Sequence, residues 1–412
     1  MNILTDKERV KRFENYGLGL FIHWGLYSII GAGEWVQEIH NVPVQKYQSL
    51  TTEFDANKFN AKEIVKAAKD MGANYIVFTA KHHDGFCLFD TQGITKYDSV
   101  HSQSNRDFIK ELSDECHKSN IQLFIYMALY DWHDSDYDND FSKYLSNLRK
   151  MIKILSTNYG EIGGFWFDGA WDKPNANWEW TELVNVIREN QPNSIITNNT
   201  GLENRGKLDN PGIDVVTFER GMPDKVNHNI LPDKYNAGEI SLTLNKHWGS
   251  AVNDFDYISM REVIESLTSA KKAEANILIN IGLEGSGNIN SFQHEMMKMV
   301  GNWISYTKEA FFNSEVLSQN GKDFIVRSNV SNLKYAFIHD LKIAGNKNVV
   351  LGGEEEQEKV FDNIVTEPHS IYWLDTNEPI KFKYDSLNQQ VTLLTKGFDY
   401  GSDYVVRVCA FN

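Results

Sequence analysis

Cysteine is scarce in this 412-residue chain: Cys87, Cys116 and Cys409 are the only three, widely separated and with no C-x-x-C pair. That excludes a zinc ribbon or a dithiol redox centre, and nothing depends on an oxidising compartment. Basic charge is also in deficit, 41 Lys and Arg against 56 Asp and Glu, for a net charge of -15. Nucleic-acid binding relies on clustered cations to release counterions, so no nucleic-acid partner is expected and a neutral or cationic ligand fits better. Long apolar runs are missing too. Nothing approaches the roughly 18 apolar residues of a spanning helix, and the N-terminal MNILTDKERVKRFENYGLG has no apolar core of signal-peptide type. No membrane partner is expected, and the chain as written reads as cytoplasmic.

What is present is aromatic and periodic. Aromatic residues make up 12% of the chain, including 10 Trp and 18 Tyr, enough for stacking surfaces beyond a core. Short apolar runs rich in β-branched and aromatic residues recur: LGLFIHWG (18–25), NYIVFTAK (74–81), IQLFIYMAL (121–129), GGFWFDG (163–169), SIITNN (194–199), IDVVTFE (213–219), EISLTL (239–244) and NILINIG (276–282). Each reads as a buried strand. Amphipathic segments lie between several of them, such as AKEIVKAAKDMG (61–72), ending on a Gly cap, and SMREVIESLTSAKKA (259–273), opening on a Ser N-cap. Eight continuous hydrophobic strands alternating with helices predict a (β/α)8 barrel over residues 1–310. Helices are hard to find between Asn199 and Gly249. A distorted or partly opened barrel is expected there.

From residue 311 to 412 the pattern changes. DFIVRS, KYAFIH, KNVVLGG, IYWLD, IKFKYD, QQVTLLT and YVVRVCAF are short alternating runs separated by Gly, Asn and Asp turns, the signature of a small antiparallel β-sandwich. The acidic GGEEEQEK between them reads as a solvated loop.

Catalytic side chains of a barrel stand at the C-terminal ends of its strands. Here those ends carry His23 and Trp24; Lys81, His82, His83 and Asp84; Tyr126; Asp168; Glu219; and, from Glu239 onward, His247 and Trp248. Each has an ordinary structural alternative. Asp168 could cap a helix, and Trp35, Trp132 and Trp171 could be core. The pair His82 and His83 would face opposite ways if the strand continued through them, and no H-x-H or H-E-x-x-H spacing occurs, which argues against a metal. The combination is more telling than any part. Carboxylates flanking a cavity, aromatics to stack on a sugar and histidines to bind hydroxyls are the equipment of a glycoside hydrolase.

The ordered set GLFIHWGLYS, GEWV, KHHDGFCLFDT, FWFDGAWD, DVVTFERG, LNKHWGS and NILINIG resembles the α-L-fucosidases of glycoside hydrolase family 29, from about Tyr16 to Trp303. The resemblance implies a (β/α)8-like barrel followed by a β-sandwich, and an exo-acting retaining enzyme that removes terminal α-L-fucose from an oligosaccharide or glycoconjugate. No cofactor or metal is called for. It makes Asp168 the nucleophile, and Glu219 the acid/base with Glu239 as second choice. It places His23, His82 and His83 on fucose hydroxyls, Glu34 and Trp35 in the same pocket, Tyr126 and Trp132 beside them, and Trp171 as a wall. Where many members carry an Asp-Arg-Trp motif this chain has TNNTGLENRG, which leaves Arg205 or Arg220 to supply any pocket arginine. Two other readings stay open: a retaining exo-glycosidase for a galactose-like sugar, and a silent carbohydrate-binding barrel. A retaining mechanism requires the two carboxyl groups about 5 to 5.5 Å apart.

Overall fold

All eight predicted barrel runs form strands: β1 (Leu18–His23), β2 (Tyr75–Lys81), β3 (Gln122–Ala128), β4 (Gly164–Asp168), β5 (Ile195–Asn198), β6 (Val215–Glu219), β7 (Ala237–Thr243) and β8 (Asn276–Gly282). They pair in parallel in chain order, and β8 returns to β1 to close the barrel. The computed structural model describes residues 3–331, 333–346, 348–350 and 356–412. Contacts divide the chain into two units, Met1–Ile258 with Ala275–Lys298, and Ser259–Glu274 with Met299–Asn412.

The expected opening after β5 does not occur, but the distortion does. β5 and β6 share a single register pair, Thr197 with Val215, whereas β1 and β8 share six. Helices cover the connections before that seam, namely Ala61–Met71, Phe108–Ser119, Phe141–Thr157 and Trp180–Asn190. Between β5 and β7 there is none among the described residues. Ala61–Met71 shows how the sequence writes such a helix. Asn60 caps the backbone amides of Lys62 and Glu63, Gly72 ends it at φ 91°, and Ile64, Val65, Ala67, Ala68 and Met71 are buried.

Side-chain alternation decides what the barrel encloses. On β4, Trp166 joins the interior cluster with Phe21, Tyr75 and Tyr126. Phe165 and Phe167 stack on each other with ring centres 6.4 Å apart, and Phe167 meets Trp180 of the Trp180–Asn190 helix at 6.0 Å. Gly164 makes this possible: a Cβ there would lie 2.3 Å from the ring of Phe124. The aromatic run thus grips both sides of the barrel wall and fixes the residue that follows it, Asp168.

The second unit is built from β9 (Ser314–Asn320), β10 (Asp323–Ser328), β11 (Lys334–Ile338), β12 (Gln357–Phe361), β13 (Ile371–Trp373), β14 (Lys381–Asp385), β15 (Gln390–Thr395) and β16 (Arg407–Phe411). A five-stranded sheet, β13-β16-β11-β10-β9, and a three-stranded sheet, β12-β15-β14, are antiparallel. Ile325, Ile338, Phe361, Trp373, Leu393 and Phe411 fill the core that both contribute to. The helix Met260–Lys272 belongs to this unit, opened by a capping box between Ser259 and Glu262. Two expectations differ here. The run KNVVLGG gives turn and bend at 348–350, its other residues lying outside those described, and the loop expected at GGEEEQEK becomes β12 from Gln357. The polar strand β9 went unpredicted because Val316 and Leu317 are its only apolar residues.

Candidate active site

The C-terminal ends of the strands surround a cavity of about 450 Å³. His23 closes β1, His82 and His83 follow β2, Tyr126 comes from β3, Asp168 ends β4 and Glu219 ends β6, and all six line the cavity. Trp35, Trp171 and Trp248 line it from loops. The strand-alternation argument for His82 and His83 fails because β2 stops at Lys81. Both rings reach the cavity, with centres 4.5 Å apart.

Asp168 is not a helix cap. Its Oδ2 accepts from Tyr126 Oη at 2.8 Å, its Oδ1 from Trp171 Nε1 at 3.0 Å and Asn199 Nδ2 at 3.1 Å, and His83 Nε2 lies 3.5 Å from Oδ2. Burial opposes its charge, but His83, Trp171 and Tyr126 together outweigh it and hold its pKa below the usual 3.8. Glu219 shifts the other way. Burial first, and the Asp168 charge second, raise its pKa above 4.5 against the pull of Asn199, Arg220 and Arg205.

Asn199, the residue just after β5, joins the two carboxyls. The same Nδ2 that donates to Asp168 donates to Glu219 Oε2 at 2.8 Å. Its Oδ1 accepts from Thr217 Oγ1 at 3.1 Å and the Gly201 amide at 3.2 Å, so the amide can present only nitrogen to the carboxyls. The two oxygens that share this donor, at 3.1 and 2.8 Å, can be no farther apart than the sum, about 5.9 Å, so the carboxyls face each other at close range.

His23 is held in one tautomer. Asn280 donates its Nδ2 to the Trp248 carbonyl at 2.8 Å, which turns Oδ1 toward His23 Nδ1 at 2.7 Å. Nδ1 therefore carries the proton, and Nε2 is an acceptor. Burial lowers the His23 pKa to about 3, despite the raising effects of Asn280 and Asp168, so the ring is neutral. Burial, with His83 and His23 beside it, likewise lowers His82 well below 6.5. His82 lies flat against Tyr126, 5.6 Å between centres at 9°.

Three expected site residues stand back from the cavity. Glu34, 6% exposed, accepts the Trp248 and Gly249 amides at 3.0 and 2.8 Å and so holds the Trp248 loop. Trp132 packs behind Trp35 and His83, at 5.0 and 5.5 Å. Glu239 is 1% exposed inside the barrel, accepting from Tyr75 Oη at 2.7 Å and Trp166 Nε1 at 2.8 Å. Ser241, two residues on, is the β7 residue that reaches the cavity. Neither arginine lines the cavity: Arg205 serves the Glu219 carbonyl, and Arg220 donates to the Lys246 carbonyl at 2.7 Å with its guanidinium 5.3 Å from the Trp248 ring centre. Sequence reasoning missed Asn199 and gave Trp248 only a strand-end place. A polar residue directly after β5 was the available signal for the first.

A family model described as alpha-L-fucosidase matches residues 2–309. A putative alpha-L-fucosidase of Caenorhabditis elegans is 26% identical over 328 residues, 73% of this chain and 66% of that protein. The human plasma alpha-L-fucosidase is 25% identical over 337 residues, 75% of this chain and 70% of that protein. Among solved structures, alpha-L-fucosidase isoenzyme 1 from Paenibacillus thiaminolyticus superposes with a TM-score of 0.84 at 27% identity, covering 99% of each chain.

Proposed function

The chain belongs to the α-L-fucosidase family of glycoside hydrolases, and we propose that it releases terminal α-L-fucose from glycans with retention, Asp168 acting as nucleophile and Glu219 as acid/base. The observation that carries this reading is the shared Asn199 amide, which draws one oxygen of each carboxyl to within about 5.9 Å of the other, the close spacing that a retaining pair requires. The opposed pKa shifts support the same assignment, because a nucleophile must be ionised while its partner holds a proton.

In the first step an Asp168 oxygen attacks the anomeric carbon as the glycosidic C–O bond breaks, and Glu219 gives its proton to the leaving oxygen. In the second, Glu219 takes a proton from water, whose oxygen attacks the same carbon and releases Asp168. Tyr126, Trp171 and Asn199 aim the Asp168 oxygens before substrate arrives, so little reorganisation is left for the reaction. His23 Nε2 accepts a sugar hydroxyl, and the neutral rings of His23 and His82 can do so across the working pH range. The 6-methyl group of fucose meets aromatic wall rather than a donor, which discriminates against a galactose-like hydroxyl only modestly.

The test uses an aryl α-L-fucoside with wild type, Asp168→Ala, Glu219→Ala and Glu239→Ala, each with and without azide. Asp168→Ala should lose turnover and regain it with azide as the β-fucosyl azide, and Glu219→Ala should yield the α-azide. Retained turnover in Asp168→Ala would sink the assignment.

A further inference from the structure

Beside the catalytic cavity, at the same end of the barrel, lies a second cleft of about 370 Å³ that the reaction does not use. It opens between the ends of β7 and β8, where Asn245 and Gly282 line it. The loop after β7 separates the two hollows: Trp248 lines the catalytic one, while Asn245 and Ser250 line this one.

Its chemistry is specific. Phe255 and Phe292 stand 83% and 54% exposed on its walls, and Tyr257 meets Phe292 edge-on with ring centres 4.6 Å apart. Exposed apolar rings grouped in a cleft and rimmed by polar residues mark a binding groove. Two carboxylates stand beside them. Asp254 is tied to His247 Nδ1 at 2.7 Å, and Glu284 is braced by the amides of Asn288 and Asn290 at 2.9 and 3.3 Å. Gln293, only 5% exposed, also lines the cleft. Among the described residues no lysine or arginine lines the cleft.

We propose that this cleft is a second, non-catalytic carbohydrate site that takes a neutral saccharide ring. The aromatic rings cover the apolar C–H face of the sugar, and its hydroxyls donate to Glu284 and Asp254. The absence of cationic lining excludes phosphorylated or carboxylated sugars. The site does not depend on the assignment of roles to Asp168 and Glu219.

Saturation-transfer NMR on the full chain tests it, with D-galactose, N-acetyl-D-glucosamine and D-mannose as probes. At least one sugar should receive saturation from the wild type. That transfer should fall at least fivefold in Phe255→Ala/Phe292→Ala, and persist in Asp168→Ala. Phe255→Ala alone, at a mostly exposed position, serves if the double variant does not fold. No transfer to any of the three sugars overturns the proposal, as does transfer that the cleft variants leave unchanged. A rise in melting temperature with calcium chloride alone, without sugar binding, would assign the acceptors to a cation instead and overturn it equally.

Discussion

Two of the barrel's buried carboxyl groups, one at its rim and one in its interior, are treated differently. In the interior, Glu239 has two donors, Tyr75 and Trp166, and burial prevails over both, raising its pKa to about 7. At the rim, Asp168 is also deeply set, but Tyr126, Trp171, Asn199 and His83 converge on it, and its pKa falls. Burial alone therefore does not choose the protonation state. The number and charge of the donors do, and only the rim can recruit them, because loops after the strands bring Trp171 and Asn199 where the strands themselves offer one inward side chain in two.

Removing the rim carboxylate should have the largest consequence. Asp168→Ala is expected to lower kcat/KM on an aryl fucoside on the order of 10⁴-fold or more, read by steady-state kinetics. Glu219→Gln should cost roughly 10²- to 10⁴-fold on an alkyl fucoside and much less on an aryl one whose leaving group needs no proton. The wild-type pH profile should rise as Asp168 ionises, below pH 4, and fall as Glu219 loses its proton, above pH 4.5. The alkaline limb should vanish in Glu219→Gln, and a limb that stays would assign it elsewhere.

Asn199→Ala sharpens the contrast by removing a rim donor while keeping both carboxyls. A hydrogen bond to a charged group is worth about 1.5–3 kcal/mol, so kcat should fall roughly 10- to 100-fold, with the acid limb displaced to higher pH as Asp168 loses support. The interior carboxyl should matter least to rate and most to stability. Folded Glu239 keeps its proton up to about pH 7 while the unfolded chain releases it near pH 4.5, so its contribution is fully present below pH 4.5 and is lost as pH rises to 7. The loss amounts to about 3 kcal/mol. The difference in unfolding free energy between wild type and Glu239→Gln, measured by urea denaturation, should follow that window. Flat behaviour across it would show that Glu239 does not titrate there.

Legibility in the sequence followed the same division. Asp168, Glu219, His23 and Tyr126 end or nearly end strands, and apolar runs mark strand ends well, so the sequence singles out all four, which line one cavity. Glu239 entered as a second acid/base through the family resemblance; in the structure it is the third residue of β7 and lies beneath Ser241, the β7 residue that reaches the cavity. Glu34 and Trp132 were expected in the pocket with their neighbours, yet a loop residue can turn away from a cavity that the next residue lines, and no periodicity reports it. Asn199 escaped because its role lies in two contacts made across 31 and 20 residues. In the second unit β9 and β12 were missed for want of apolar alternation, their burial being shallow.

The bridging amide has a consequence for charge through the proposed cycle. Before the first step Asp168 is an anion and Glu219 is neutral; once the fucosyl ester has formed, Asp168 is neutral and Glu219 is the anion. The pair carries one negative charge in both states, and Asn199 donates to whichever carboxyl holds it. The donor never has to travel, and the surrounding protein never has to accommodate a second charge or lose the first.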